Sequence, residues 1–586
     1  MASEPSRLAE LTDGFRLLRS TLYRYRFVAS VSISGAVLWM AAVVAIPYFV
    51  GEIVDVATTE SDPSRIWPLI AALIVAGAIQ AIGISVRRYF GFKLSYRAEA
   101  DLRNRIFSHV QRLAFSFHDV TSTGELMARA SSDLSQLRLI LAMLPITLAN
   151  LAMFLVVGVV LLIIDPVLGG VAALIIPALL YTSARFAIRV VGYSFDIQAG
   201  LSSLSHVVEE SVTGIEVVKS YGQEAQQRHR LNATAMTIYR AAMALAKERA
   251  IHRPLFEIIP ALGTVAVLAV GGIRVIDGAI TLGEFVAFTQ YLAVMVLPLM
   301  ITGWFFANLP RSAAAATRID ALLAEDPEIE EPVRPVRLPV GPGEVVFDDV
   351  QFAYPDGTQV LTGMNLVIPG GSSVGVVGTT GSGKTTLGHL IPRFYDVGSG
   401  TITIDGVDVR RLDLDELRNE VAVVFQETFL FSASIADNIR VGDPMATDKQ
   451  IRAAARLARA HEFICELPDG YDTVVGERGA TLSGGQRQRV SLARGVVRDP
   501  RVLILDDATS SVDAVVESEI QAALRQVMAG RTTVIIAHRT STLALVDNVA
   551  FIDDGKILAF GPHEELLRDV PRYGEVLAAT AGGAFA

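Results

Sequence analysis

Residues 378–386 read GTTGSGKTT, and the reading of the C-terminal half follows from them. The spacing fits the phosphate-loop pattern G-x-x-x-x-G-K-[ST]. Its glycines let successive backbone N–H groups turn inward onto phosphate oxygens at a helix N-terminus. Residues 372–378 (SSVGVVG), just before it, have the composition of a buried strand, and a helix is expected after it. The candidate phosphate-binding set is Gly378, Thr379, Thr380, Gly381, Ser382, Gly383, Lys384, Thr385 and Thr386. Lys384 brings a point charge to the β- and γ-phosphates, and Thr385 offers a hydroxyl to Mg²⁺. A second strand, residues 502–505 (VLIL), ends in Asp506, an acid placed where Mg²⁺ is held across from such a loop.

Working outward, composition separates two halves. The chain has 586 residues, 51% of them hydrophobic and only 19% charged, against about 25% charged in soluble domains. High hydrophobicity excludes disorder, and a single cysteine, Cys465, excludes an intrachain disulfide scaffold. A net charge of −10 argues against nucleic acid as a partner. From Val340 onward there are 22 basic and 33 acidic residues, which leaves 29 basic and 28 acidic before it. The acidity belongs to the C-terminal half and the apolar runs to the N-terminal half.

Six of those runs are long enough, or nearly so, for membrane spans: residues 27–51, 67–86, 139–164, 166–184, 258–273 and 285–310. Five arginines precede the first run, and the connection 52–66 carries four acids and only Arg65. The connection 87–138 carries nine basic residues, and 185–253 is similarly rich. By the positive-inside rule this puts both termini, both long connections and the phosphate-loop half in the cytoplasm, with the protein multi-pass in the plasma (inner) membrane. The first run is too long for a signal-peptide core, and no cleavage pattern follows it. The long connections are expected to continue the spans as helices and to close with a turn. Residues 326–342 (DPEIEEPVRPVRLPVGP) read as an exposed linker. The expected domains are a transmembrane domain over 1–325, that linker, and a nucleotide-binding domain over 343–586.

Between the phosphate loop and Asp506 lies LSGGQRQR, residues 482–489. Here the chain resembles the ATP-binding cassette (ABC) transporters, whose signature is LSGGQ, and the resemblance covers nearly its whole length. It implies an α-helical six-span transmembrane domain joined to an α/β P-loop ABC domain, in the exporter-type (type IV) half-transporter arrangement, with ATP and Mg²⁺ as cofactors. Tyr354 resembles the aromatic that stacks on adenine. Gln426 resembles the Q-loop glutamine that contacts Mg²⁺ and water, and Asp513 resembles the D-loop acid. His538 resembles the switch histidine, and Glu477 the acid of the stretch before the signature. Residues 117–133 and 209–224 resemble the two coupling regions of exporters. In the family two cassettes meet head to tail. Ser483, Gly484, Gly485 and Gln486 would then bind the ATP held by the partner's phosphate loop.

One position departs from the family pattern. The residue after Asp506 is normally the glutamate that serves as general base, and here it is Asp507. Asp is one methylene shorter, and a displacement of roughly 1 Å can cost ~10²-fold in rate. A weakened base beside an intact signature resembles one half of a heterodimeric exporter, in which a different chain supplies the glutamate. Polar groups in or near the spans are few: Gln80, Asn150, Gln290 and Asn308, with His252, Arg253 and Glu257 near the fifth. Trp304, Phe305 and Phe306 are candidates to line an apolar cavity. The expected cargo is an amphipathic drug, lipid or hydrophobic peptide. An importer built on the same fold, a homodimeric lipid flippase and a non-transporting regulator or channel subunit remain open at this level.

Overall fold

Apolar runs can satisfy their backbone groups inside a bilayer only as helices or closed barrels, and here they form helices. The computed structural model describes residues 7–59, 63–476, 479, 481–507, 514–537 and 540–582. Two compact units result, one from residues 1–112 with 123–325, the other from 113–122 with 326–586.

The first unit holds α1 (Arg7–Arg24), α2 (Arg26–Thr59), α3 (Ile66–Val110), α4 (Leu134–Ile164), α5 (Pro166–Thr213), α6 (Glu224–Ile276) and α7 (Leu282–Leu323). Among the described residues five helical stretches are long and apolar enough to cross a membrane: Arg26–Thr58, Ile66–Val110, Thr123–Ile164, Glu224–Ile276 and Leu282–Leu323. The remaining expected run, 166–184, forms the first part of α5, where several side chains lie outside the described residues. Helices α3, α5 and α6 contain 45, 48 and 53 residues. At 1.5 Å per residue that is roughly 65–80 Å, more than twice the hydrocarbon core. The long basic connections are therefore helical, interrupted by the short helices Phe115–Val120 and Ile215–Ser220.

Packing in the first unit follows membrane rules, in which small residues let backbones approach and polar side chains bridge helices. A Cβ at Gly83 would lie 2.6 Å from the Trp39 backbone N, and one at Gly35 2.8 Å from that of Arg87, so glycine sets the crossing of α2 and α3. Asn150, fully buried on α4, reaches Thr302 Oγ1 and the Pro298 carbonyl on α7, both at 3.4 Å. Met153, Val157, Leu161, Leu168, Val267 and Phe288 fill the core among α4, α5, α6 and α7.

The α4–α5 corner is fixed by charge. Asp165 caps α5, accepting from the N–H groups of Val167 and Leu168 at 2.9 Å, with Pro166 supplying the helical φ of the first turn. Its other oxygen accepts from Arg274 Nε at 2.6 Å, which ties the end of α6 to this corner. Asp165→Ala removes the cap and strands a half-buried arginine, so it is expected to cost about 2 kcal/mol or more. Thermal unfolding of the full chain in detergent would show this as a lowered Tm, and an unchanged Tm would mean the corner is held otherwise.

In the second unit, β1 (Val345–Ala353), β2 (Gln359–Ile368), β4 (Ser399–Ile404) and β5 (Val407–Asp408) form an antiparallel sheet in the order β2-β1-β4-β5. The larger sheet runs β10-β9-β3-β8-β7-β6, from β3 (Ser373–Gly378), β6 (Val421–Val424), β7 (Val502–Asp506), β8 (Thr532–Ile536), β9 (Asn548–Asp553) and β10 (Lys556–Gly561). Its central pairs are parallel and only β10 runs against its neighbour. Strands β3, β7 and β8 are almost continuous apolar runs because helices cover both faces of such a sheet. Phe347, Leu361, Val374, Ile402 and Ile504 pack the two sheets together.

Candidate functional site

The phosphate loop emerges from the carboxyl end of β3 and turns into α8 (Lys384–Leu390). Gly383 is the hinge: it caps α8 at φ 101°, a left-handed backbone that side chains resist. A Cβ there would lie 2.7 Å from Leu361 Cδ2, and one at Gly378 would collide with the Ile552 carbonyl. Gly383→Ala should therefore lower stability by about 1–3 kcal/mol and weaken nucleotide binding with it. Thermal unfolding and ATP titration would read the two effects, and an alanine variant matching the parent in both would contradict this geometry.

Lys384 is buried and donates to the carbonyls of Gly378 at 2.9 Å and Thr379 at 2.8 Å, so its ammonium sits inside the curl of the loop. Burial lowers its pKa, and the Asp506 carboxylate acts in the opposite sense. Ser382 Oγ is buried without a hydrogen-bond partner. A buried ammonium, an unsatisfied hydroxyl and the glycine turn at the N-terminus of α8 form a cradle whose donors fit the phosphates of ATP.

Asp506 ends β7 and Asp507 follows it, both buried. Asp507 takes φ 44° and its N–H bonds the Ile536 carbonyl of β8 at 3.1 Å. Aspartate tolerates this left-handed turn better than most residues. Gln426 Nε2 donates to Asp507 Oδ2 at 3.3 Å, which brings together two of the residues singled out in the sequence. Tyr354 bonds Thr386 through its hydroxyl at 2.9 Å, so the aromatic stands over the loop's exit.

The signature opens α9 (Gly484–Val496). Ser483 and Gln486 form a reciprocal cap: the Gln486 N–H donates to Ser483 Oγ at 3.3 Å, and the Ser483 N–H donates to Gln486 Oε1 at 2.9 Å. Ser483 is exposed, and Gly485 is buried. Asp513, His538 and Glu477 lie outside the described residues.

Sequence reasoning missed an aromatic seat in the second unit. Phe115 stacks on Phe394 at 4.4 Å between ring centres, with His389, Tyr395 and Phe425 around them. Tyr395 donates to Asp119 Oδ2 at 2.5 Å and packs edge-on against Tyr354. The aromatic run of residues 394–395 was the available signal, but only folding brings it to Phe115. Burial lowers the His389 pKa, with Asp119 opposing. The unfolded chain thus binds the proton more readily, and stability falls as pH drops through about 6.5. Melting between pH 7.5 and 5.5 should fall less in His389→Gln than in the parent, and equal slopes would contradict this.

The ABC transporter transmembrane region family matches residues 30–299, and the ABC transporter family matches residues 361–510. A multidrug efflux ATP-binding/permease protein of Mycobacterium tuberculosis is 35% identical over 96% of this chain and 47% of its own length, so the chain spans about half of that relative. An ATP-dependent lipid A-core flippase of Desulfotalea psychrophila is 37% identical over 80% of this chain and 82% of its own. A bacterial Atm1-family ABC exporter, solved with ATP bound, superposes with a TM-score of 0.79 at 27% identity, over 95% of this chain and 98% of that one. The chain belongs to the ABC transporters, joining an exporter-type transmembrane region to an ATP-binding cassette in one chain.

Proposed function

We propose that this chain is one half of an ATP-driven exporter of amphipathic compounds and that it pairs with a different half-transporter carrying the glutamate it lacks. The observation that carries the pairing is Asp507, buried at the end of β7 against Gln426. Its carboxylate stands one methylene short of the reach the family's base has, while the Ser483–Gln486 cap is complete. This chain's own site would hold ATP and turn it over slowly. Its signature would complete the partner's site, with Ser483, Gly484, Gly485 and Gln486 on the partner's γ-phosphate.

The roles follow from chemistry. The phosphate loop from Gly378 to Thr386 binds the phosphates, and Lys384 neutralises them. Thr385, Gln426 and Asp506 would hold Mg²⁺, which screens phosphate charge. Tyr354 supports the adenine, Asp507, Gln426 and His538 orient the attacking water, and Asp513 is the D-loop acid. The proposed domains are a membrane half over 1–325, a linker over 326–342 and a cassette over 343–586, with residues 113–122 packing in the second compact unit. The apolar spans and the basic connections favour a multi-pass protein of the plasma (inner) membrane with its termini and cassette cytoplasmic. The names of the relatives, multidrug efflux and lipid flippase, support an amphipathic cargo.

Steady-state ATP turnover by the chain purified alone tests the pairing. Slow turnover is expected. Turnover at an ordinary transporter rate, abolished by Asp507→Asn, would sink it. Direction is read separately, in inside-out vesicles. ATP-dependent accumulation of a fluorescent amphipathic dye there means export, whereas accumulation only in right-side-out vesicles means import.

A further inference from the structure

The first unit contains a cavity of about 470 Å³ between α3, α4 and α7. Ile146, Leu297, Met300 and Trp304 are among its apolar walls, and its cations are Arg87 and Arg88. None of its lining residues is acidic. Arg87 Nε is buried without a hydrogen-bond partner, and the guanidinium lies 5.7 Å from the centre of the Trp39 ring. Among the described residues neither arginine makes an ion pair with an acid.

Depth gives the cavity its meaning. Counted from Ile66 at 1.5 Å per residue, Arg87 lies about 30 Å along α3, one hydrocarbon thickness from where the span begins. Met300 lies about 27 Å from the start of α7, and Ile146 about 27 Å from the end of the oppositely running α4, both just inside that boundary. The arginines therefore stand at headgroup level, on the side of the C-terminal end of α7, and the apolar wall stands at acyl-chain level. A cation at that depth is costly unless it is met by an anion or by water. A partly desolvated guanidinium without an acid matches a phosphate or carboxylate bidentately.

We infer that this cavity binds an anionic amphiphile from the adjacent leaflet, its phosphate or carboxylate headgroup on Arg87 and Arg88 and its tail against Ile146, Leu297, Met300 and Trp304. The inference rests on the reading of the first unit as the membrane half of an exporter, and it narrows the cargo from amphipathic compounds in general to anionic ones.

The test is native mass spectrometry of the full chain in neutral detergent, without nucleotide, against three probes. These are lysophosphatidylglycerol, lysophosphatidylcholine with the same tail, and glycerol 3-phosphate. Retention of the anionic lipid over the zwitterionic one by about 10-fold is expected, with R87Q/R88Q erasing that preference and R87K keeping it. Glycerol 3-phosphate alone should not be retained. Equal retention of the two lipids would overturn the inference, as would a preference that survives R87Q/R88Q. Retention of glycerol 3-phosphate as strong as that of the lipid would show a simple anion site instead. Because nucleotide is absent, a failure here leaves the ATP-driven reading standing, and a failure of ATP turnover leaves this result standing.

Discussion

Lys384→Ala is expected to lower ATP turnover by about 10²-fold or more and to weaken ATP binding in parallel, with little effect on folding. The lysine is buried, and its ammonium is held by two carbonyls of its own loop. Removing it leaves the Gly378 and Thr379 carbonyls pointing into a site that must accept the charge of a triphosphate. Turnover is best measured on the complete transporter, partner included, with ATP binding to each cassette followed by photolabelling. Labelling of this chain should vanish while that of the partner persists. Undiminished labelling in the alanine variant would remove the phosphate loop from the account.

Asp507→Glu should act in the other direction, raising turnover by this chain's site by roughly 10²-fold, because one methylene restores the carboxylate to the distance the reaction needs. The left-handed backbone at 507 makes glutamate less comfortable than aspartate, at a cost of about 1–2 kcal/mol in stability. That cost is small beside the gain in rate and is separable from it by a melting curve. Asp507→Asn in the same assay should leave the already slow site almost unchanged. If glutamate does not accelerate turnover and asparagine abolishes it, aspartate is the working base and the site is not weakened.

Much of the cassette was legible because its chemistry is local. A strand, a glycine turn and a helix start lie in consecutive residues around Lys384. The LSGGQ run likewise carries its own cap, with Ser483 and Gln486 three residues apart. The apolar runs announced the long helices for the same reason. What the sequence did not reveal depends on partners far apart in the chain. Asp165 meets Arg274 from 109 residues away, and Phe115 meets Phe394 from another part of the fold. Residues 113–122 join the second unit, although they lie between two spans. Nothing in the local pattern at 507 foretold its positive φ, since an aspartate after an apolar strand reads simply as a strand end. The cavity at Arg87 was hidden similarly: the arginine looked like one more positive loop charge until α4 and α7 were seen to wall it in.

The central claim is that this half works beside a different one. Its most direct test is to isolate the tagged chain from its native membranes in mild detergent and identify what accompanies it by mass. The account predicts a second half-transporter, in near-equal amount, with glutamate at the position of Asp507. Recovery of this chain alone, hydrolysing ATP at an ordinary rate, would contradict it.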